Sequence, residues 1–210
     1  MNKALFVTFE GPDGSGKSTQ IKLFRDFLEN AGHKVLLTRE PGGTEISEKI
    51  RNLILDPDNV KMDARTEALL YSASRAQLVH EYIAPALALG KTVLCDRFMD
   101  SSIAYQGFAR ALGDGVRVIN EFAIGDVHPD ITFFLDLDPR IGLERAGKNR
   151  GKLDRLEQEA LEFHIKVYEA YCELSKIYKD RYIRIDASGD IDTVAEEIKR
   201  RFTEYAGSRK

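Results

Sequence analysis

The sequence predicts a three-layer α/β fold: a five-stranded parallel sheet flanked by helices, in one domain spanning residues 1–210. Three observations carry this. Apolar runs recur at Leu5–Phe9, Lys34–Thr38, Thr92–Cys95, Ile131–Leu137 and Tyr182–Ile185 without clean alternation, as in parallel strands covered on both faces. Helical patterns separate the runs, and strands alternating with helices close into a parallel sheet with short connections. Finally, Gly11-Pro12-Asp13-Gly14-Ser15-Gly16-Lys17-Ser18 fits GxxxxGK[ST] between the first run and a helical stretch.

The elements follow in order. The first helix spans Lys17–Asn30, with Ile21, Phe24 and Leu28 as its apolar stripe and Gly32 closing it. Ile46, Ile50, Leu53 and Ile54 mark a second, short helix. Asp63 caps a third, which runs through Leu69 and Leu70 toward Pro85. Glu157–Tyr178 forms another and Ile191–Tyr205 the last. Gly147–Lys152 is glycine-punctuated and basic, and reads as a flexible insert within a mobile lid at about 145–155.

At 43% hydrophobic and 31% charged, the chain has material for a core and a solvated surface. A net charge of −3 gives no global positive field, which argues against nucleic acid as a main partner. No apolar run approaches a membrane span, and Met1-Asn2-Lys3 leads straight into the first strand without a signal peptide. The cytoplasm is therefore the expected compartment, with no membrane partner. Cys95 and Cys172, far apart and outside any CxxC, read as reduced thiols. His33, His80, His128 and His164 share no ligand or catalytic spacing and read as structural.

The phosphate loop points to a nucleoside-triphosphate site, the alternative being a Gly-rich turn that only caps a helix. Gly11, Gly14 and Gly16 let backbone N–H groups turn inward, so that Gly11 through Thr19 cradle phosphates at a helix N-terminus. Lys17 reaches the β/γ-phosphates, and the Ser18 hydroxyl ligates Mg2+. Val93-Leu94-Cys95-Asp96-Arg97 ends the third strand; Asp96 is a second Mg2+ ligand, or else a helix cap. Arg97 is built for bidentate phosphate contact and should face the same crevice as Lys17. Arg39, beside Pro41-Gly42-Gly43, either grips another phosphate or is a solvated turn residue.

Phe9-Glu10-Gly11-Pro12-Asp13-Gly14-Ser15-Gly16-Lys17-Ser18-Thr19, then Arg39-Glu40-Pro41-Gly42-Gly43-Thr44, then Asp96-Arg97 through Ser101-Ser102 to Ala104-Tyr105-Gln106-Gly107, then Leu153-Asp154-Arg155 together resemble the thymidylate kinases. The resemblance implies a nucleotide-kinase type of P-loop NTPase fold. It also implies transfer of the ATP γ-phosphoryl to dTMP in dTTP biosynthesis, Mg2+ as cofactor, and a homodimer. By the same resemblance Arg39 and Arg97 clamp the acceptor phosphate, and Asp13 accepts from the sugar 3′-hydroxyl. Tyr71, where relatives carry Phe, stacks on thymine, and Arg75 donates to the base O4. Ser101 and Ser102 meet the base edge, Tyr105 excludes a ribose 2′-hydroxyl, and Gln106 completes the wall. Arg145 stacks on adenine. Arg145, Lys148, Arg150, Lys152 and Arg155 stand against a single acid, Asp154: this is either a solvated loop or, as the resemblance implies, a lid that closes over ATP and supplies the catalytic cation. Ser15 stands where one branch of the family has a basic residue, so the chain resembles the branch whose catalytic arginine comes from the lid; Arg150 is the first candidate and Arg155 the second.

Three other readings remain. One is a kinase of the same fold acting on a different small molecule. Another is a regulatory NTPase, for which the NKxD guanine reader is missing. The third is a nucleic-acid-dependent ATPase, which needs a larger basic groove.

Overall fold

β1 (Phe6–Glu10) lies at the centre of a five-stranded sheet of order β2-β3-β1-β4-β5. The other strands are β2 (Val35–Arg39), β3 (Thr92–Asp96), β4 (Ile131–Asp136) and β5 (Tyr182–Asp186), and every pairing is parallel. Each lies within one residue of its predicted span. The computed structural model describes residues 4–149 and 154–208.

Period-two alternation buries both faces of this sheet. On β1, Phe6 points to one side and meets Phe98 edge-on at 4.8 Å between centroids. Phe9 points to the other, 5.3 Å from Phe133 and 5.8 Å from Phe24. Phe6, Val93, Cys95, Phe134 and Tyr171 thus belong to one core layer; Val7, Phe9, Leu94, Phe133 and Phe202 belong to the other.

α1 (Lys17–Asn30) and α9 (Ile191–Ser208) cover the second layer. α2 (Glu45–Leu55) is capped by Thr44, whose side chain accepts from the Ser47 amide. α3 (Ala64–Leu78) is capped by Asp63, which accepts from the Arg65 amide at 2.9 Å. It widens into a π-turn over Val79–Ile83 before α4 (Ala84–Ala88). Pro85 therefore does not stop the helical rod. A proline crowds the carbonyl of the preceding turn, and the looser π-turn gives it room. α5 (Met99–Ser102) likewise widens into a π-turn, Ile103–Ala109.

Three helical stretches differ from expectation. α6 (Gly115–Ile124) and α7 (Pro139–Asn149) were not legible as helices. α7 takes in residues 145–149 of the expected lid loop. Arg150 and Lys152 lie outside the described residues. α8 (Leu161–Ile177) begins after Glu157, because one Asp154 oxygen accepts from both the Leu156 and Glu157 amides at 2.9 Å and closes a turn there.

The chain leaving β1 runs to the β2 side of the sheet, and the chain leaving β3 runs to the β4 side. The carboxyl ends of these adjacent strands therefore open onto a crevice, the ligand position of open α/β sheets.

Candidate active site

The crevice has a volume of about 850 Å³ and takes in the phosphate loop, the ends of β2 and β3, and flanking helices. Gly16 precedes α1 with φ 92°, a left-handed conformation that glycine adopts without penalty, and no side chain caps the helix. The Thr19 amide closes on Gly16 O at 3.0 Å, and those of Lys17 and Ser18 are left for an anion. Lys17 is 7% exposed and curls over the loop, donating to Gly11 O at 3.0 Å and Pro12 O at 2.7 Å. Burial, then the charge of Arg97, lowers its ammonium to about 8.

Arg97 arrives from β3 with φ 69°, a strained backbone for a residue with a side chain. Its guanidinium donates to the same Gly11 carbonyl at 3.0 Å, and to Ser101 and Tyr171. It also holds Asp13 at 2.6 Å, and the Tyr105 hydroxyl donates to the other Asp13 oxygen at 2.9 Å. Burial alone would raise the Asp13 carboxyl; Arg97, Lys17 and the Tyr105 bond together hold it at about 2.

Beneath Arg97 lies a support that sequence reasoning missed. Glu10, fully buried at the end of β1, accepts from the Phe98 amide at 2.7 Å, Ser101 at 2.6 Å and Tyr171 at 2.8 Å. Burial and the nearby Asp100 raise its pKa. The Ser101 hydroxyl is thereby committed to Glu10. Ser102 accepts from Arg75 at 3.0 Å.

Arg75 is 1% exposed, and its guanidinium also donates to Glu40, Phe98 O and Asn120. Burial raises Glu40 to about 7 against the pull of Arg75. Tyr71 and Gln106 line the same crevice, and the Gln106 amide donates to Glu67 at 2.9 Å. Arg39 donates to Pro41 O at 2.6 Å and grips Glu48. Arg51, a further cation that the sequence did not single out, donates to the same Pro41 carbonyl at 2.8 Å. Its isolation within the apolar pattern of α2 gives no local signal.

At the other end, Arg145 lines the crevice and donates to Ala187 O and Ser188 O, each at 3.2 Å. Arg155 is placed differently: its guanidinium pairs with Glu67 at 2.6 Å and donates to Ile54 O. The Ser18 hydroxyl donates to Asp96 at 2.7 Å on the crevice wall. Among the described residues no group of three or more His, Cys, Asp or Glu forms a metal cage. A hydroxyl and one carboxylate fit a hard cation that keeps water and phosphate oxygens as its other ligands.

A parallel sheet with a phosphate loop at its centre, facing arginines from two neighbouring strands, defines a phosphoryl-transfer enzyme of the nucleotide-kinase type. The thymidylate kinase family profile matches residues 9–198. The chain belongs to the thymidylate kinase family. It is 52% identical over 201 residues to the thymidylate kinase of Clostridium novyi (strain NT), covering 95% of this chain and 98% of that protein. It is 54% identical over 194 residues to that of Geobacillus sp. (strain WCH70), covering 91% and 92%. The crystal structure of thymidylate kinase from Ehrlichia chaffeensis superposes with a TM-score of 0.79 at 32% identity, over 96% of this chain and 100% of that one.

Proposed function

We propose that this enzyme transfers the γ-phosphoryl group of ATP to dTMP, giving ADP and dTDP. The observation that carries this is the shared Gly11 carbonyl: Lys17 from the triphosphate loop and Arg97 from β3 both donate to it at 3.0 Å. Two cations so placed can serve two phosphates meeting end to end. Two unit charges 4 Å apart repel by about 4 kcal/mol at an effective dielectric of 20. Lys17 answers this on the donor side, Arg97 and Arg39 on the acceptor side. No general base is required, because a phosphate monoester has its second pKa at about 6 and is mostly dianionic at neutral pH.

Asp13, kept ionised by Arg97, accepts from the sugar 3′-hydroxyl; Tyr105, hydrogen-bonded to the same carboxylate, closes the space a 2′-hydroxyl would need. Tyr71 offers its ring face to the base, and Arg75, its guanidinium taken up by Glu40, Ser102, Asn120 and Phe98 O, lines the same crevice. Arg51 joins Arg39 at the phosphate end. Ser18 and Asp96 would hold Mg2+, which supplies charge neutralisation on the triphosphate when bound. Arg145 faces the adenine side. Arg150 stands as the lid cation on sequence grounds alone, while the Arg155 guanidinium is tied to Glu67.

The active form in this proposal is a homodimer. Ile46 and Leu53 of α2, Leu69 of α3, and Val118 and Phe122 of α6 are exposed, Phe122 by 92%. α2 packs on α3 and α3 on α6, so a second copy could cover them together. No helix among the described residues is long and apolar enough to cross a membrane. The cytoplasm is the proposed setting, where the free thiols Cys95 and Cys172 stay reduced.

Rates of ADP release with each nucleoside monophosphate in turn test the substrate assignment. dTMP should give the highest kcat/KM; a faster ribonucleotide or purine acceptor would overturn it.

A further inference from the structure

Between the two ends of the crevice, two glycines touch backbone to backbone. Gly14 of the phosphate loop has φ 74°, and a Cβ built there would overlap the Gly142 carbonyl, 2.6 Å from its carbon and 2.9 Å from the Gly142 Cα. Conversely, a Cβ on Gly142 would overlap the Asp13 carbonyl oxygen. The first turn of α7 thus rests on the Asp13–Gly14 peptide.

Gly142 does not need glycine for its backbone. It lies within the helix, its amide donates to Asp138 O at 3.1 Å, and its φ is not positive. Glycine weakens a helix interior relative to alanine. Gly147 on the same helix has nothing within 4 Å of the corresponding position. The contact is therefore the reason a side chain is excluded at 142.

The contact joins two working groups. The Asp13 carboxylate holds Arg97 at 2.6 Å and Tyr105 at 2.9 Å on the acceptor side. Arg145, three residues beyond Gly142 on the same face of α7, borders the donor side, anchored on Ala187 O and Ser188 O. The geometry points to Gly142 as a positioning residue for phosphoryl transfer: lacking a Cβ, it seats α7 on the Asp13–Gly14 peptide and fixes Arg145 relative to the Arg97 clamp. This rests on the donor and acceptor ends assigned above.

Gly142→Ala tests it, with Gly207→Ala in α9, where an added Cβ meets nothing within 4 Å, as control. Alanine strengthens the helix at both positions, but at 142 it must lift α7 off the loop. A displacement of about 1 Å can cost on the order of 10²-fold in rate. Gly142→Ala should lower kcat by about 10- to 100-fold and raise KM for ATP. The Kd for dTMP alone, measured by calorimetry, should stay within a few-fold. Gly207→Ala should match the parent enzyme. In an Arg145→Ala background, Gly142→Ala should raise KM for ATP little further, because the two changes act through one group.

Parent-like kcat and KM in Gly142→Ala, or full additivity with Arg145→Ala, would overturn the inference. Should Gly142→Ala not fold, hydrogen exchange on the unaltered enzyme decides. The Asp13–Gly14 and first-turn α7 amides should slow together when an ATP analogue binds; protection of one segment without the other overturns the coupling. The parent enzyme's preference among monophosphates is measured separately, so a wrong substrate assignment shows there and not in this cycle.

Discussion

Arg97 both holds the fold at Asp13 and meets the acceptor phosphate, and two substitutions separate these duties. Arg97→Ala removes a 2.6 Å ion pair whose side chains are 16% and 21% exposed, together with donors to Gly11 O, Ser101 and Tyr171. A charge-assisted bond of this kind is worth roughly 1.5–3 kcal/mol, and Asp13 retains only Tyr105 and the more distant Lys17 in compensation. The expected loss is about 2–3 kcal/mol. In a chain this long each kcal/mol moves Tm by roughly 2–4 °C, so the variant should melt about 4–12 °C lower. Alanine keeps the left-handed backbone at φ 69°. Arg97→Gly relieves it and should recover about 1 kcal/mol, or roughly 2–4 °C. Activity should not follow. Both variants should lose about 10²- to 10³-fold in kcat/KM for dTMP, with KM for ATP changed only a few-fold. Thermal melts beside initial-rate ADP formation, varying each substrate in turn, make the comparison. Recovery of activity along with Tm in Arg97→Gly, or an equal defect toward ATP, would refute the clamp.

Three more outcomes follow from the crevice. Lys17, lowered to about 8, is a cation below that pH and loses its charge above it; kcat/KM for ATP should be level below about pH 8 and fall toward tenfold per pH unit beyond. A pH–rate profile still level well above pH 8 would contradict this. Tyr105→Ala opens the space beside Asp13 and should improve 5-methyluridine monophosphate relative to dTMP by about tenfold or more. An unchanged ratio of kcat/KM values removes the steric gate. Phe122→Asp puts a charge on the most exposed apolar side chain of α6 and should shift sedimentation from dimer to monomer. A dimer that persists unchanged would place the interface elsewhere.

The strands were legible because a parallel sheet covered on both faces needs runs such as Val7–Phe9 and Ile131–Leu135 to be buried throughout, apolar but for Thr8 and Thr132, whose hydroxyls bond each other. The helix from Lys17 to Asn30 was legible for its stripe and its glycine stop. α7 was not, because Pro139, Gly142 and Gly147 read as breakers. Pro139 opens the helix, where its missing N–H costs nothing, and Gly142 serves a contact that exists only after folding.

The site divides in the same way. Lys17 opens α1 at the end of the glycine loop, and Asp96 and Arg97 sit at the end of β3, where the local sequence announces them. Glu10 and Tyr171 are 161 residues apart, and neither stands out until folding brings them to 2.8 Å. Arg155 reads as a lid cation beside its basic neighbours, yet it packs on Glu67, 88 residues away. Charge runs reveal which side chains are present but not which partner takes them.

Inhibition by a single molecule carrying adenosine and thymidine at opposite ends of a phosphate chain probes the crevice most directly. If Lys17 and Arg97 serve one continuous site, that compound is competitive against ATP and against dTMP, and binds far more tightly than either. Competition with only one of the two substrates would mean that donor and acceptor do not meet there.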